Sequence, residues 1–116
     1  METHRLVITE DLNQYGNLFG GRLLSWVDEA SFIAATMEFP QCKFVTIGMD
    51  RVEFRHAVYN GAIIIIRSTR VKIGRTSVQY LVQVFKNQSD PDHVIFETRV
   101  SFVNVDQEGN NKEILR

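Results

Sequence analysis

Cysteine is nearly absent: Cys42 is the only one, so no intrachain disulfide is possible, as fits a reducing compartment. A cationic excess is missing too. Thirteen Lys and Arg stand against 14 acids, a net charge of −1, which argues against nucleic acid or an anionic membrane as partner. The longest apolar run, Ala62-Ile63-Ile64-Ile65-Ile66, is far shorter than a membrane span. Met1-Glu2-Thr3-His4-Arg5 has neither the cationic region nor the apolar core of a secretion signal, so cytoplasmic residence is the default expectation. His4, His56 and His93 pair with no cysteine or carboxylate at a metal-ligand interval, and no metal is expected. Cys42 sits in Pro40-Gln41-Cys42-Lys43-Phe44, which has no features of a nucleophile turn, and reads as an inert loop thiol. Internal repeats and low-complexity linkers are lacking as well.

What is present describes one domain. A chain of 116 residues, 44% hydrophobic and 23% charged, can bury a single core. One long helix is predicted from about Gly21 to Glu38, stopped by Pro40. Its apolar residues cover most of its circumference, so other structure is expected to wrap it. The remainder reads as strand: a short first one from Arg5 to Ile8, then four more. In the second, apolar positions shift from odd (Val45, Ile47, Met49) to even (Val52, Phe54), which predicts a bulge near Asp50-Arg51. A β-branched run follows from Ala62 to Ile73. Ser77 to Phe85 comes next, apolar at Val78, Tyr80, Val82 and Val84, and after a polar turn over Asn87 to Asp92 a last strand carries Val94, Phe96, Val100 and Phe102. Short turns imply sequential hairpins, hence an antiparallel sheet with the helix lying on it, an α+β architecture. Residues 106–116 read as a mobile tail.

The chemistry concentrates in Asn13-Gln14-Tyr15-Gly16-Asn17-Leu18-Phe19-Gly20-Gly21, which runs straight into the helix. Glycines let a backbone approach a ligand closely, and the first N–H groups of a helix have no partner within it. That junction can hold a carbonyl oxygen or an anion. At 3.6 residues per turn, Arg22, Ser25, Glu29 and Thr36 share one polar stripe, whereas Asp28 lies about 80–90° away, between Leu24, Phe32 and Ala35. Glu29 is therefore expected to face solvent. Asp28 is expected to be at least partly covered, needing either a hydrogen-bonding partner or a role, because desolvating a carboxylate is costly.

These motifs resemble the hotdog-fold acyl-CoA thioesterases of the cytosolic long-chain and broad-range acyl-CoA hydrolase type. Asn13, Gly16, Phe19, Gly20, Gly21 and Asp28 fall at the spacing of that family's first motif; Val45-Thr46, Asp50 and Phe54 match its second strand, and Gly74-Arg75-Thr76-Ser77 its Gly-Arg-Thr/Ser-Ser turn. The resemblance spans nearly the whole chain. It implies an antiparallel sheet wrapped around one central helix, and hydrolysis of acyl-CoA to free fatty acid and CoA without a separate cofactor. It implies Asp28 as the catalytic acid, either general base or nucleophile, and Asn13 as a catalytic asparagine reaching the partner subunit's site. Gly20 or Gly21 would polarise the thioester carbonyl through its N–H. Gly74, Arg75, Thr76 and Ser77 would meet CoA, with Arg75 on a phosphate; apart from the resemblance, His56, which is new relative to the family pattern, is with Arg55 a further candidate for a CoA phosphate. A homodimer is implied as the minimal unit, built further into a tetramer or hexamer.

Two positions depart from the family pattern. In Phe54-Arg55-His56-Ala57-Val58-Tyr59-Asn60-Gly61-Ala62, Ala57 stands where the family has proline and Ala62 where it has aspartate, so a less rigid loop is expected there. Two rivals remain: a hotdog dehydratase, which needs a histidine where Asn13, Tyr15 and Asn17 stand, and a binding module for acyl-CoA that has lost the chemistry.

Overall fold

The computed structural model describes residues 1–86 and 93–115; the expected turn over residues 87–92 lies outside them. Strand β1 (Glu2–Leu6) leads through a 3-10 turn (Thr9–Asp11) to helix α1 (Gly20–Glu38), followed by β2 (Phe44–Phe54), β3 (Ile63–Ile73), β4 (Ser77–Phe85) and β5 (Val94–Asn104). The strands form one antiparallel sheet in the order β1-β3-β4-β5-β2. Helix α1 lies against the face formed by Ile64 and Ile66 of β3, Val78, Tyr80, Val82 and Val84 of β4, and Phe96, Val100 and Phe102 of β5. The period-2 pattern read for β4 is buried throughout, and that read for β5 is buried at Phe96, Val100 and Phe102 and half-buried at Val94.

Helix α1 begins where Leu23 N–H donates to Phe19 O, and ends where Phe39 N–H donates to Ala35 O, just before Pro40. Leu23, Trp26, Val27, Ala30, Ala34 and Ala35 face the sheet and are buried, the alanines allowing close approach. Within one chain the sheet covers one side of the helix and leaves part of the other open. Phe32, Ile33 and Met37 remain 40%, 38% and 69% exposed, because a single five-stranded sheet covers only one side of a helix.

Strand β2 changes register between Asp50 and Glu53, where Arg51 has φ of 63°, so the bulge lies where the phase change predicts it. A second irregularity, between Thr46 and Gly48, had no sequence signal.

Three expectations are corrected. The first strand is Glu2–Leu6 rather than Arg5 to Ile8, because Val7 pairs with the 61–62 turn (Val7 N–H to Ala62 O, 2.8 Å) and Ile8 N–H turns onto the Asp11 carboxylate. The strands are not all sequential hairpins. β2 pairs with β5 at the far edge, and the chain returns to β3 past the entrance of α1, held by Leu18 N–H on Val58 O at 2.7 Å and an Asn17–Tyr59 bridge. Residues 106–115 are not a mobile tail either. Asp106 Oδ1 accepts from Glu108 and Asn110 N–H, Ile114 N–H donates to Arg75 O, and the Ile114 side chain is 3% exposed in the core. The polar run is a tight turn, not a solvated end. The Asn110 N–H bond foremost, with that of Glu108, holds the Asp106 carboxyl below the usual aspartate range.

No helix among the described residues is long and apolar enough to cross a membrane.

Candidate active site

The loop before α1 is built around the Asn13 side chain. Its Oδ1 accepts from Tyr15 N–H at 2.9 Å and Asn17 N–H at 3.1 Å, Asn13 N–H donates to Asn17 O at 2.8 Å, and Gly16 closes the turn with φ of 83°. With its oxygen committed, Asn13 has only the two Nδ2 protons to offer outward. Asp11, nearly buried, ties the loop to the helix: Oδ2 accepts from Ile8 N–H and Oδ1 lies 3.5 Å from Arg22 Nε.

Asn13 shares a cavity with Gly20, Phe54, Arg55 and His56. Gly21 opens onto a different concavity, beside Phe19, Arg22 and Ser25. Of the two glycines, only Gly20 therefore presents itself beside Asn13. A Cβ there would meet the Phe54 ring at 3.3 Å, whereas one at Gly21 would make ordinary contacts of 3.7 Å with Phe19.

Two helical turns on, the two acids part as the period predicts. Glu29 is exposed and pairs with Arg5 at 2.8 Å, the guanidinium lying 4.8 Å from the Trp26 ring. Asp28 is half-buried on the β2 side, where Thr46 Oγ1 donates to its Oδ1 at 2.8 Å. Thr46 was visible in the sequence only as part of a strand match. The apolar alternation of Val45 and Ile47 pointed the other way, since it marks them for the covered face, whereas both are exposed and Thr46 turns to the helix. Ser31, fully buried, donates to Val27 O at 2.8 Å and Asp28 O at 3.2 Å and ties down this turn of helix.

Asp28 does not line the Asn13 cavity, and eight helical residues, a rise of about 12 Å, separate it from Gly20. The other candidates are divided as well. Arg55 is held by Glu53 at 3.2 Å and Glu97 at 3.5 Å, and His56 stacks on His93 with centroids 4.1 Å apart. Gly74 to Ser77 form the β3–β4 turn, closed by Gly74 N–H on Ser77 O, at the far end of an 11-residue strand that spans roughly 35 Å. There Thr76 O accepts from Asn104 N–H, and Arg75, its side chain 76% exposed, lies 3.8 Å from Glu113.

Farther from these groups, burial pushes the Cys42 thiol up, offset in part by Lys112, as befits an unreactive thiol. Sequence reasoning missed the clamp at the end of α1, where the buried Tyr80 hydroxyl donates to Glu38, itself 3.1 Å from Arg70. Desolvation, then that bond, drives the Tyr80 phenol well above its usual range.

Residues 15–93 match the Thioesterase superfamily. An uncharacterised acyl-CoA thioester hydrolase of Haemophilus influenzae is 28% identical over 96% of this chain and 75% of its own. A hexameric hotdog-fold thioesterase of Campylobacter jejuni, known by crystal structure, is 33% identical and superimposes with a TM-score of 0.85 over 97% of this chain and 88% of its own. An acyl-CoA hydrolase of Staphylococcus aureus, solved with butyryl-CoA, CoA and CoA disulfide, is 25% identical with a TM-score of 0.86 over 98% of this chain and 68% of its own. The sheet that carries one long helix and the family match through most of that framework converge: the chain belongs to the thioesterase superfamily and has its hotdog fold.

Proposed function

We propose that the protein hydrolyses acyl-CoA to a free fatty acid and CoA, with Asp28 as general base or nucleophile and Asn13 supplied by the partner subunit. The observation that carries this reading is the 2.8 Å bond from Thr46 to Asp28, which fixes one carboxylate oxygen. The other oxygen has no hydrogen bond among the described residues and is left for water or for the thioester carbon. As a base, Asp28 takes a proton from water while the water oxygen attacks the carbonyl carbon; the C–S bond then breaks and the proton passes to the CoA sulfur. As a nucleophile it attacks the carbonyl carbon, the C–S bond breaks and CoA leaves as the thiolate, and water then opens the acyl anhydride, restoring the Asp28 carboxylate and supplying the proton that ends on the CoA sulfur. Gly20 N–H and Asn13 Nδ2–H are the donors proposed for the carbonyl oxygen, the latter because Oδ1 is already engaged in the loop. CoA is part of substrate and product, and the reaction as written needs no further cofactor.

The separation of the groups supports a shared site. Asp28 stands apart from the Asn13 cavity, and Arg55 and His56 lie at the opposite end of the sheet from Gly74, Arg75, Thr76 and Ser77. One CoA reaches these groups together only if a second subunit brings its own copies. Strand β2 has a free edge carrying exposed Val45, Ile47, Val52 and Phe54, where a second β2 can pair. A dimer built into a tetramer or hexamer accords with the hexameric Campylobacter relative. Acyl-CoA as substrate accords with the name of the Haemophilus relative and the ligands in the Staphylococcus crystals.

The test is thiol release from a series of acyl-CoAs. Wild type should turn over, Asp28→Asn should lose on the order of a hundredfold or more in kcat with little change in Tm, and Glu29→Gln should resemble wild type. Binding of acyl-CoA without thiol release would leave the binding module as the correct reading.

A further inference from the structure

The Phe32 side chain stands one helical turn past Asp28 on nearly the same face, and helical side chains lean back toward the preceding turn. Its ring is 40% exposed and meets Phe102 edge-on, with centroids 6.0 Å apart. Phe102 is directly opposite Thr46 in the β2–β5 register, so it points to the same side of the sheet as the hydroxyl that holds Asp28. Behind Phe102 the space is filled. Phe44 and Tyr80 lie 6.1 and 6.3 Å from it, Phe39 lies 6.2 Å from Phe44, and the Tyr80 hydroxyl is anchored on Glu38. Phe102 is fully buried and Tyr80 nearly so, which leaves no water-sized void beside the former and little beside the latter. An exposed phenyl ring backed by a closed aromatic stack thus rises beside the half-buried carboxylate.

We propose that Phe32 is a specificity-determining residue that blocks the acyl path, so that the enzyme takes short acyl chains, reaching about one helical turn (~5.4 Å) past the thioester carbonyl. This rests on the acyl-CoA reading above and names the substrate class within it. Removing the ring opens the way over the helix toward Thr36, because the stack behind it stays in place. A larger ring shortens the space further.

The experiment measures kcat/KM for acetyl-, butyryl-, octanoyl- and palmitoyl-CoA with wild type, Phe32→Ala, Phe32→Leu and Phe32→Trp. Met37→Ala serves as a control, exposed as well but roughly 140° round the helix from Phe32. Wild type is expected to prefer butyryl over octanoyl by roughly tenfold or more, and Phe32→Ala to raise the octanoyl-to-butyryl ratio by a similar factor. Phe32→Trp lowers butyryl relative to acetyl, and Met37→Ala keeps the wild-type profile. Phe32→Leu moves the ratio the same way by less, and carries the test if the alanine variant does not fold by Tm. An unchanged ratio in the folded Phe32 variants, or palmitoyl as the best wild-type substrate, overturns the proposal while acyl-CoA hydrolysis stands. No thiol release by wild type from any of the four overturns both.

Discussion

Asp28 and Glu29 are neighbours in sequence with different surroundings. Glu29 sits in an exposed ion pair with Arg5, a type of contact that contributes about 0–1 kcal/mol, whereas Asp28 accepts a short bond from a strand hydroxyl. If that bond aims the proposed base, Thr46→Val, equal in size but without a donor, should lower kcat by about tenfold or more while KM changes little. Thr46→Ser should recover most of the loss. Steady-state kinetics on the three proteins decides, and a Val variant as active as wild type would show that Thr46 does not position the acid. The separation of the two acids could be read from a 3.6-residue period, because both lie on one regular helix. The Thr46 partnership could not, since it depends on how β2 is bent between two register irregularities, one of which left no trace in the apolar pattern. The commitment of Asn13 Oδ1 was hidden for a similar reason: a turn closed on a side chain has no periodicity.

At the level of elements, what could be read was what is local. The spans of α1 and β4 and the bulge near Arg51 follow from periodicity and from Pro40. The pairing of β2 with β5 did not, because a strand with a short following loop reads as half of a hairpin, and only the packing of residues 55–62 against the helix entrance sends the chain back to the other side. The C-terminal segment was misread from its polarity. Its only large apolar residues are Ile114 and Leu115, and one of them is in the core. Ile114→Ala should therefore destabilise the protein by about 2–4 kcal/mol in urea unfolding. Leu115→Ala, at an exposed position, should cost little. The turn at Asp106 adds a pH dependence of known sign. Folding lowers this carboxyl's pKa, so its contribution is in place above the ordinary aspartate range and is lost as pH falls through the lowered folded value.

For the whole molecule, the proposed two-chain site gives a result that a one-chain site cannot. Asn13→Ala and Asp28→Asn proteins should each be nearly inactive. Refolded together with random pairing, they should regain about a quarter of wild-type sites, because half the dimers are mixed and each of these holds one intact site and one doubly altered site. Mixtures that exchange subunits yet stay inactive would rule the shared site out. The overall charge of −1 has its own consequence, since it supplies no long-range attraction for a polyanion such as CoA. Whatever favours the nucleotide end must then be local, and at Arg75 the cation already has a counter-ion in Glu113, 3.8 Å away and itself exposed. If Arg75 meets a CoA phosphate, that phosphate and Glu113 compete for the same guanidinium. Glu113 then acts as a resident competitor that sets how readily product leaves. Glu113→Gln should lower KM, strengthen inhibition by free CoA and make both more sensitive to ionic strength; an unchanged KM across a salt series would show that the phosphate does not use Arg75.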